Sequence, residues 1–255
     1  MAEGKKVRPP KMRDERLARL SDSISYMRSQ LDGKEYVENY IHSLTHELKT
    51  PITSIRGAVE LMSEDMPAED RELFLNNIST SNQRMGRLVD RMLSLAKLEG
   101  TTELINQEEF DLIPTIKRLI QERVPTINER QITINLPQQN QFPCHGDRVL
   151  ISQAIANLLD NAIRFCSNSG QIDISLEIQD NTSIVRLFNQ GEAIPDFALA
   201  KLYDRFFSLP PSNQSDSAVK STGLGLSFVR EIMKLHKGKV EINNVSSGVV
   251  ASLRW

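Results

Sequence analysis

The sequence has almost no net charge, few cysteines and no long apolar run. Its 31 Lys and Arg residues nearly balance 33 Asp and Glu residues, so nucleic acid is not expected as the main partner. The two cysteines, Cys144 and Cys166, stand in no paired or metal-like spacing, which is typical of a reducing compartment, and Cys166 is expected to be a small buried residue. No apolar run could cross a bilayer and no signal peptide is recognisable. The 255 residues suffice for two modest domains with real cores.

Basic residues are frequent at the start of the chain, in a segment with a helical pattern over about 12–33. This pattern fits equally the inner flank of a membrane segment that precedes the sequence and a solvated helix face. We expect residues 1–34 to be a linker or signalling helix, with any membrane spans before residue 1. The sequence would then lie on the cytoplasmic side of a bacterial inner membrane protein.

Two long segments carry apolar residues at spacings of three and four, which predicts a helical hairpin. The first helix covers about 35–63, and the second ends before Gly100. The two predicted apolar stripes are Ile41, Leu44, Leu48, Ile52, Ile55, Val59 and Met62, and Phe74, Ile78, Ser81, Met85, Leu88, Met92 and Leu95. Because a hairpin buries only one face of each helix, a dimer that forms a four-helix bundle would cover the stripes.

After residue 106 the pattern changes to alternating strands and apolar helices. Strands are predicted at 132–136, 172–178, 183–188, 239–244 and 249–254, and helices at about 111–124, 147–165 and 223–236. This order predicts an α+β domain in which helices cover one face of a mixed or antiparallel sheet. The polar segment 208–222, with two prolines, should be a mobile loop.

His46 stands on the first predicted helix, about 200° from its neighbours in the apolar stripe, so it should face solvent. Glu47 follows it directly, and an exposed histidine beside an acid can serve as nucleophile, base or metal ligand. A His-Glu-x-x-His zinc motif is incomplete because Thr50 occupies the position of the second histidine. Pro51 leaves the carbonyl of Glu47 without its helical donor, which favours a kink one turn after His46.

Three further blocks have the residue types of a phosphate-ligand site. Asn157 and Asn161 share a helix face, and amide oxygens suit Mg²⁺ held mainly by phosphates, although such a pair is also common in helix caps and interfaces. The block 189–195 follows a predicted strand and suits either a pocket rim or a plain turn. In the third block, 221–227, glycines precede a helix N-terminus, a geometry that can cradle phosphate.

In this order the blocks resemble the transmitter module of a sensor histidine kinase of a two-component system, from about residue 35 to Trp255. The sequence around these blocks is most similar to that of CreC-like sensors, in Tyr36-Val37-Glu38 and in the segment from Phe206 to Pro210. The matched blocks are His46–Pro51 (H box), Asn157–Phe165 (N box), Asn189–Pro195 (G1 box), Tyr203–Phe207 (F box) and Gly223–Leu226 (G2 box).

The resemblance implies a dimeric four-helix bundle built from residues 35–100, followed by a Bergerat-type (GHKL) α+β domain over 101–255 that binds ATP. It implies that His46 accepts the γ-phosphoryl group and that Glu47 orients or deprotonates its imidazole. Thr50 matches a position that places water for dephosphorylation of the partner. That partner would be the receiver domain of a response regulator, phosphorylated on an aspartate.

The resemblance also implies the nucleotide contacts. Asn161, with Asn157, would hold Mg²⁺, Arg164 would meet phosphate, and Phe165 would line the base. Phe206 would anchor the lid. The other residues implied to bind ATP are Asn189, Gly191, Ile194, Arg205, Thr222, Gly223, Leu224, Gly225 and Leu226.

The G1 block departs from the family pattern at two positions. Asn189 replaces an aspartate that accepts from the adenine amino group, and Ala193 stands where a second glycine is usual. Loss of charge assistance could weaken adenine binding by about 1–2 kcal/mol, or roughly tenfold. A weak or phosphatase-biased kinase is therefore the alternative, and Asn189→Asp is expected to tighten nucleotide binding.

Two other classes of protein share part of this pattern. An ATPase of the chaperone or mismatch-repair type shares the nucleotide fold but lacks the helical hairpin ahead of it. A non-enzymatic scaffold with a decayed site is supported only by the altered G1 block.

Overall fold

The computed structural model describes residues 44–62, 66–209 and 222–255. The predicted helix at 12–33, the start of the first hairpin helix and most of the predicted loop lie outside these residues. Helix α1 covers 44–61 and runs through Pro51, and α2 covers Ala68–Glu99. Acidic Glu69 and Asp70 in the first turn of α2 complement its dipole, and Gly100 follows its last residue as predicted.

The apolar stripe of α2 is buried or half-buried at all its predicted positions, with Leu88 and Leu95 at 2% exposure. The stripe of α1 is only partly covered, because Ile52 and Val59 are each 52% exposed. Further exposed apolar residues on the hairpin are Leu61, Leu73, Leu75, Val89 and Leu93. One hairpin therefore leaves apolar surface that a second pair of helices could cover.

The α/β part contains seven strands and five helices among the described residues. They are β1 Glu108–Asp111, α3 Leu112–Gln121, α4 Val124–Glu129, β2 Thr133–Asn135, β3 Pro143–Gly146, α5 Arg148–Phe165, β4 Gln171–Gln179, β5 Thr182–Gln190, α6 Asp196–Leu199, α7 Gly225–Leu235, β6 Lys239–Val245 and β7 Gly248–Arg254. The predicted order of a helical hairpin followed by an α+β unit is confirmed. The sequence patterns missed the short elements β1, β3, α4 and α6.

The main sheet has the order β2-β4-β5-β7-β6 and is mixed. Strand β2 pairs parallel to β4, and all other neighbours are antiparallel. Strands β1 and β3 form a separate antiparallel pair. Strand β5 runs two residues further than predicted, so Asn189 lies within the strand and pairs with Ile172 and Val249.

One apolar core joins a single face of the sheet to α3, α5 and α7, as the alternation in β4 requires. Two aspartate caps set where the helices begin. Asp111 accepts from the amides of Ile113 and Phe142, and Asp147 accepts from the amides of the second and third residues of α5, all near 3.0 Å. These caps fix α3 and α5 on the sheet. Among the described residues, no helix has the length and apolarity needed to cross a membrane.

Candidate functional site

An open pocket of about 610 Å³ lies where α5, the end of β5, the start of α7 and the hairpin helix α2 meet. This size is typical of a site for a small ligand. Sheet residues, among them Leu187, Val249 and Ala251, form its apolar part, and the asparagines of α5 together with arginines of α2 and α5 supply its cationic and polar part. The division between an apolar and a cationic part suits a ligand with a flat ring at one end and negative charge at the other.

Helix α5 contributes one continuous wall, because Asn157, Asn161, Arg164 and Phe165 recur on one helix face and all line the pocket. The amide nitrogen of Asn157 donates to the carbonyl of Gln153 at 2.8 Å. Its Oδ1 is thereby left as the free acceptor. That oxygen approaches Gly225, where a β-carbon would lie only 3.1 Å from it. Asn157 thus presents an oxygen beside the glycine at the start of α7.

Arg164 brings a cation into the pocket with one donor unused. Its Nε is buried and has no hydrogen-bond partner among the described residues. Burial lowers the pKa of Arg164 from its ordinary value, which marks a desolvated charge that an anion would stabilise. Its guanidinium carbon lies 5.4 Å from the centre of the Phe165 ring, so the two side chains form one cation–π pair.

Arg130 fixes the end of α5, and the sequence analysis missed it. Its guanidinium donates to the carbonyls of Ile163, Arg164 and Cys166, so a positive charge caps the negative end of the helix. It also lines the pocket. No local pattern could reveal this role, since its partners lie more than 30 residues further along the chain.

The G1 block forms a second wall through Asn189 and Ile194. Asn189 is 7% exposed, and its Nδ2 has no hydrogen-bond partner among the described residues. Ile194 is held by a reciprocal pair of 2.8 Å hydrogen bonds between its backbone and the amide of Asn244. Gly191 lies behind the wall, where a β-carbon would come within 2.5 Å of the carbonyl oxygen of Phe165. This glycine therefore permits the close approach of the G1 segment to α5.

The G2 block is joined to the F box by a close backbone contact. Gly223 has a φ of +65°, and Phe206, opposite it, has a φ of +63°. The amide of Phe206 donates to the carbonyl of Gly223 at 2.9 Å. A β-carbon on Gly223 would lie 2.4 Å from the carbonyl carbon of Phe206, so only glycine fits this crossing.

Some residues implied to bind the nucleotide instead support the wall. Leu224 is buried against Leu88 and Leu95 of α2, and Phe206 packs on the same cluster. Arg205 forms an ion pair with Glu99 at the end of α2. Together with Gly191, these residues do not line the pocket, whereas Thr222, Gly223, Gly225 and Leu226 do.

His46 is exposed on α1 and does not line the pocket. The carboxylate of Glu47 accepts from Arg84 of α2 at 3.1 Å, and both side chains are about one-quarter exposed or less, at 22% and 24%. The hydroxyl of Thr50 donates to the carbonyl of His46 at 3.3 Å. In this arrangement Glu47 is engaged across the hairpin.

Three arginines of α2 reach the pocket, and sequence reasoning did not single them out. Arg84, Arg87 and Arg91 recur at spacings of three and four, so they share one face of the helix, and all three line the pocket. Arg91 also donates to the hydroxyl of Thr222 at 3.3 Å. Their spacing on a predicted helix was the available signal.

No group of three or more His, Cys, Asp or Glu side chains suitable for a metal occurs within residues 44–62, 66–209 and 222–255. The Oδ1 of Asn157 is an oxygen in the pocket that suits Mg²⁺, since Mg²⁺ in nucleotide sites takes few protein ligands and completes its shell with phosphates and water.

Comparison with known proteins agrees with this geometry. Residues 37–101 match the His Kinase A (phospho-acceptor) domain, and residues 146–255 match the histidine kinase-, DNA gyrase B-, and HSP90-like ATPase. The chain is 38% identical over 255 residues to sensor protein CreC of Escherichia coli (strain K12), covering all of this chain and 52% of that protein.

Two further similarities extend the comparison. The heme sensor protein HssS of Staphylococcus aureus (strain JH9) is 26% identical over 230 residues, covering 90% of this chain and 49% of that protein. A crystal structure of histidine kinase ThkA in complex with response regulator protein TrrA shares the fold, with a TM-score of 0.69, 23% identity, and coverage of 91% of this chain and 65% of that one. The chain spans about half the length of the curated relatives it matches. It belongs to the sensor histidine kinases and joins a phosphoacceptor hairpin to an ATPase domain of that family.

Proposed function

We propose that the chain transfers the γ-phosphoryl group of ATP to His46 and then to an aspartate on a response regulator. The proposal rests on the pocket, where the face of α5 that bears Asn157 and Asn161, the G2 block and the α2 arginines meet. A phosphoacceptor hairpin is attached directly to that pocket through the cluster of Leu88, Leu95 and Leu224.

The nucleotide would lie across both parts of the pocket, with its base in the apolar part and its phosphates in the cationic part. Phe165 and the sheet residues would hold the base, with Asn189 at its polar edge. Arg164, the α2 arginines and the backbone near Gly223 and Gly225 would face the phosphates. Asn157 and Asn161 would hold Mg²⁺, which neutralises phosphate charge when bound.

The transfer step needs His46 with a neutral ring nitrogen. That nitrogen forms a bond to the γ-phosphorus while the bond from phosphorus to the β,γ-bridging oxygen breaks and ADP leaves. His46 lies outside the pocket and Glu47 is paired with Arg84. Phosphorylation therefore requires α1 and the pocket to approach each other. Arg84 contacts one oxygen of Glu47, Oε2, so the other oxygen would orient or deprotonate the imidazole.

We place the dimerisation and phosphotransfer domain at 35–100 and the ATP-binding domain at 101–255. The exposed apolar residues of the hairpin, Ile52 and Val59 among them, favour a homodimer that closes into a four-helix bundle. The kinase ThkA, which has the same fold, was crystallised with a response regulator, which supports a response regulator as the partner of this chain. The curated relatives are about twice as long as this chain, and in the whole protein further segments would carry the sensor and the membrane anchor.

A regulator phosphatase activity is the second function we propose, on the basis of the Thr50 hydroxyl one turn after His46. A hydroxyl there can orient a water molecule toward a phosphorylated aspartate on the docked regulator. Replacement of Thr50 by Ala should leave autophosphorylation intact and slow the dephosphorylation of the regulator.

The test of the kinase proposal is a label chase. The chain is incubated with Mg²⁺ and γ-labelled ATP, freed of nucleotide, and mixed with a response-regulator receiver domain. We expect label on the parent and on His145→Ala, an exposed histidine of the α/β part, but not on His46→Ala. We also expect the label to move to the receiver domain, and not to a receiver domain that lacks its aspartate. Nucleotide binding without any label would favour the phosphatase-biased alternative.

A further inference from the structure

The side chain of Asn189 is a buried donor without an acceptor. It is 7% exposed, and its Nδ2 is fully buried and unpaired within the described part of the chain. The backbone of Asn189 is paired in the sheet with Ile172 and Val249, so the unpaired donor belongs to its side-chain amide. A buried amide of this kind is normally satisfied by protein, water or ligand.

Asn189 stands in the apolar part of the pocket. Leu187 precedes it by two residues on the same face of β5, and Val249 faces it across the strand pair. Both residues line the pocket, as does Ala251 on β7. A flat base in this apolar region would present its polar edge to the Asn189 amide.

The amide differs from a carboxylate in what it can recognise. A carboxylate only accepts hydrogen bonds, whereas an amide offers one acceptor and two donors on nearly isosteric atoms. The adenine edge pairs a donating N6 amino group with the accepting N1. The edge of a 6-oxopurine is reversed, with an accepting O6 beside a donating N1–H. Rotation of the Asn189 amide by 180° exchanges its donor and acceptor, so the same side chain complements either edge.

We propose that the Asn189 amide makes this pocket permissive for purines, so that it binds 6-oxopurine nucleoside triphosphates as well as ATP. This inference rests on the proposed nucleotide site and specifies its substrate class. Two carboxylates also line the pocket: Glu192, near the G1 wall, is exposed, and Asp160, in the α5 wall, is paired with Arg123. Asn189 is thus the buried polar residue of the G1 wall, within the described residues, that can select the base.

The test measures the dissociation constants of ATP and ITP by calorimetry, for the parent and for Asn189→Asp. ITP is the probe because it carries O6 without the additional 2-amino group of GTP. We expect the parent to bind the two nucleotides within about tenfold of each other. In Asn189→Asp the preference for ATP should rise by about tenfold or more, because a carboxylate repels O6 and no longer offers a donor.

The outcomes separate the two proposals. ATP binding by the parent with a preference over ITP of more than about a hundredfold overturns the inference but leaves the nucleotide site standing. An unchanged ratio in a folded Asn189→Asp variant also overturns it. Absence of binding for both nucleotides overturns the nucleotide site itself and this inference with it. The ratio of the ATP and ITP dissociation constants in the parent tests the inference by itself, so the test does not depend on how well the variant folds.

Discussion

Replacement of Gly223 by Ala should impair nucleotide binding far more than folding. The residue has a φ of +65°, where a residue with a β-carbon is strained by about 1–2 kcal/mol. The added carbon would also lie 2.4 Å from the carbonyl carbon and 2.5 Å from the Cα of Phe206. Both of these are backbone atoms, so no side-chain rotation relieves the contact.

The strain can be released only if the segment around Gly223 moves away from the segment around Phe206. Separation would break the 2.9 Å hydrogen bond from Phe206 to the carbonyl of Gly223 and displace Thr222, which lines the pocket. If binding must restore the strained crossing, its cost of about 1.4 kcal/mol or more corresponds to a loss of about tenfold or more in ATP affinity. The apolar core of the α/β part lies elsewhere and should remain folded.

The assay is calorimetric titration with ATP, accompanied by thermal melting. Gly57→Ala and Gly86→Ala are matched controls, since a β-carbon at either position meets nothing within 4 Å. Both lie in helices, where Ala is favoured over Gly by about 1 kcal/mol, so neither should lose affinity. If Gly223→Ala bound ATP as tightly as these controls, the close crossing of the F and G2 blocks would not shape the site.

Three further predictions concern the stability and assembly of the chain. Burial lowers the pKa of His236 below the 6.5 of a free imidazole, so the unfolded chain binds that proton more readily. The free energy of unfolding should therefore fall as pH drops through about 6.5 and level off below the native pKa, and His236→Gln should flatten this dependence in urea melts at several pH values. Replacement of Val59 by Glu should convert a dimer to monomer in sedimentation experiments, and an unchanged dimer would mean that this exposed part of α1 is not its interface. Loss of the helix cap in Arg130→Met should lower the free energy of unfolding by about 1.5–3 kcal/mol, whereas the exposed control Arg148→Met should change it by less than about 0.5 kcal/mol.

The long elements could be predicted from the sequence because their signals are local. The helix predicted at 147–165 appears as Arg148–Phe165, with Asp147 as the cap that starts it. The alternation at 172–178 likewise appears as the central part of β4. In both, the apolar period and a turn or cap are contained in one short window of the chain.

The missed features depend on partners far away in sequence. Strands β1 and β3 have four residues each and pair across more than 30 residues, so neither shows a pattern long enough to recognise. The role of Arg130 depends on carbonyls at the end of α5. The exposure of Ile52 is a different case, since the proposed dimer would cover this part of the stripe with a second hairpin.

The same distinction applies to the site. The side chains of α5 could be predicted as one wall because a helix places residues four apart on the same face. The spacing of Arg84 and Arg91 places them on one face of α2, but the contact of that face with the pocket depends on how α2 packs against the α/β part.

The location of the phosphoryl group tests the central claim most directly. The chain is incubated with Mg²⁺ and ATP, digested at alkaline pH, and its peptides are mapped by mass spectrometry before and after mild acid. The account predicts a phosphoryl group on His46 that is stable in base, is lost in acid and is absent from His46→Ala. A phosphoryl group on another residue, or an unmodified His46 in a chain that binds ATP, would contradict it.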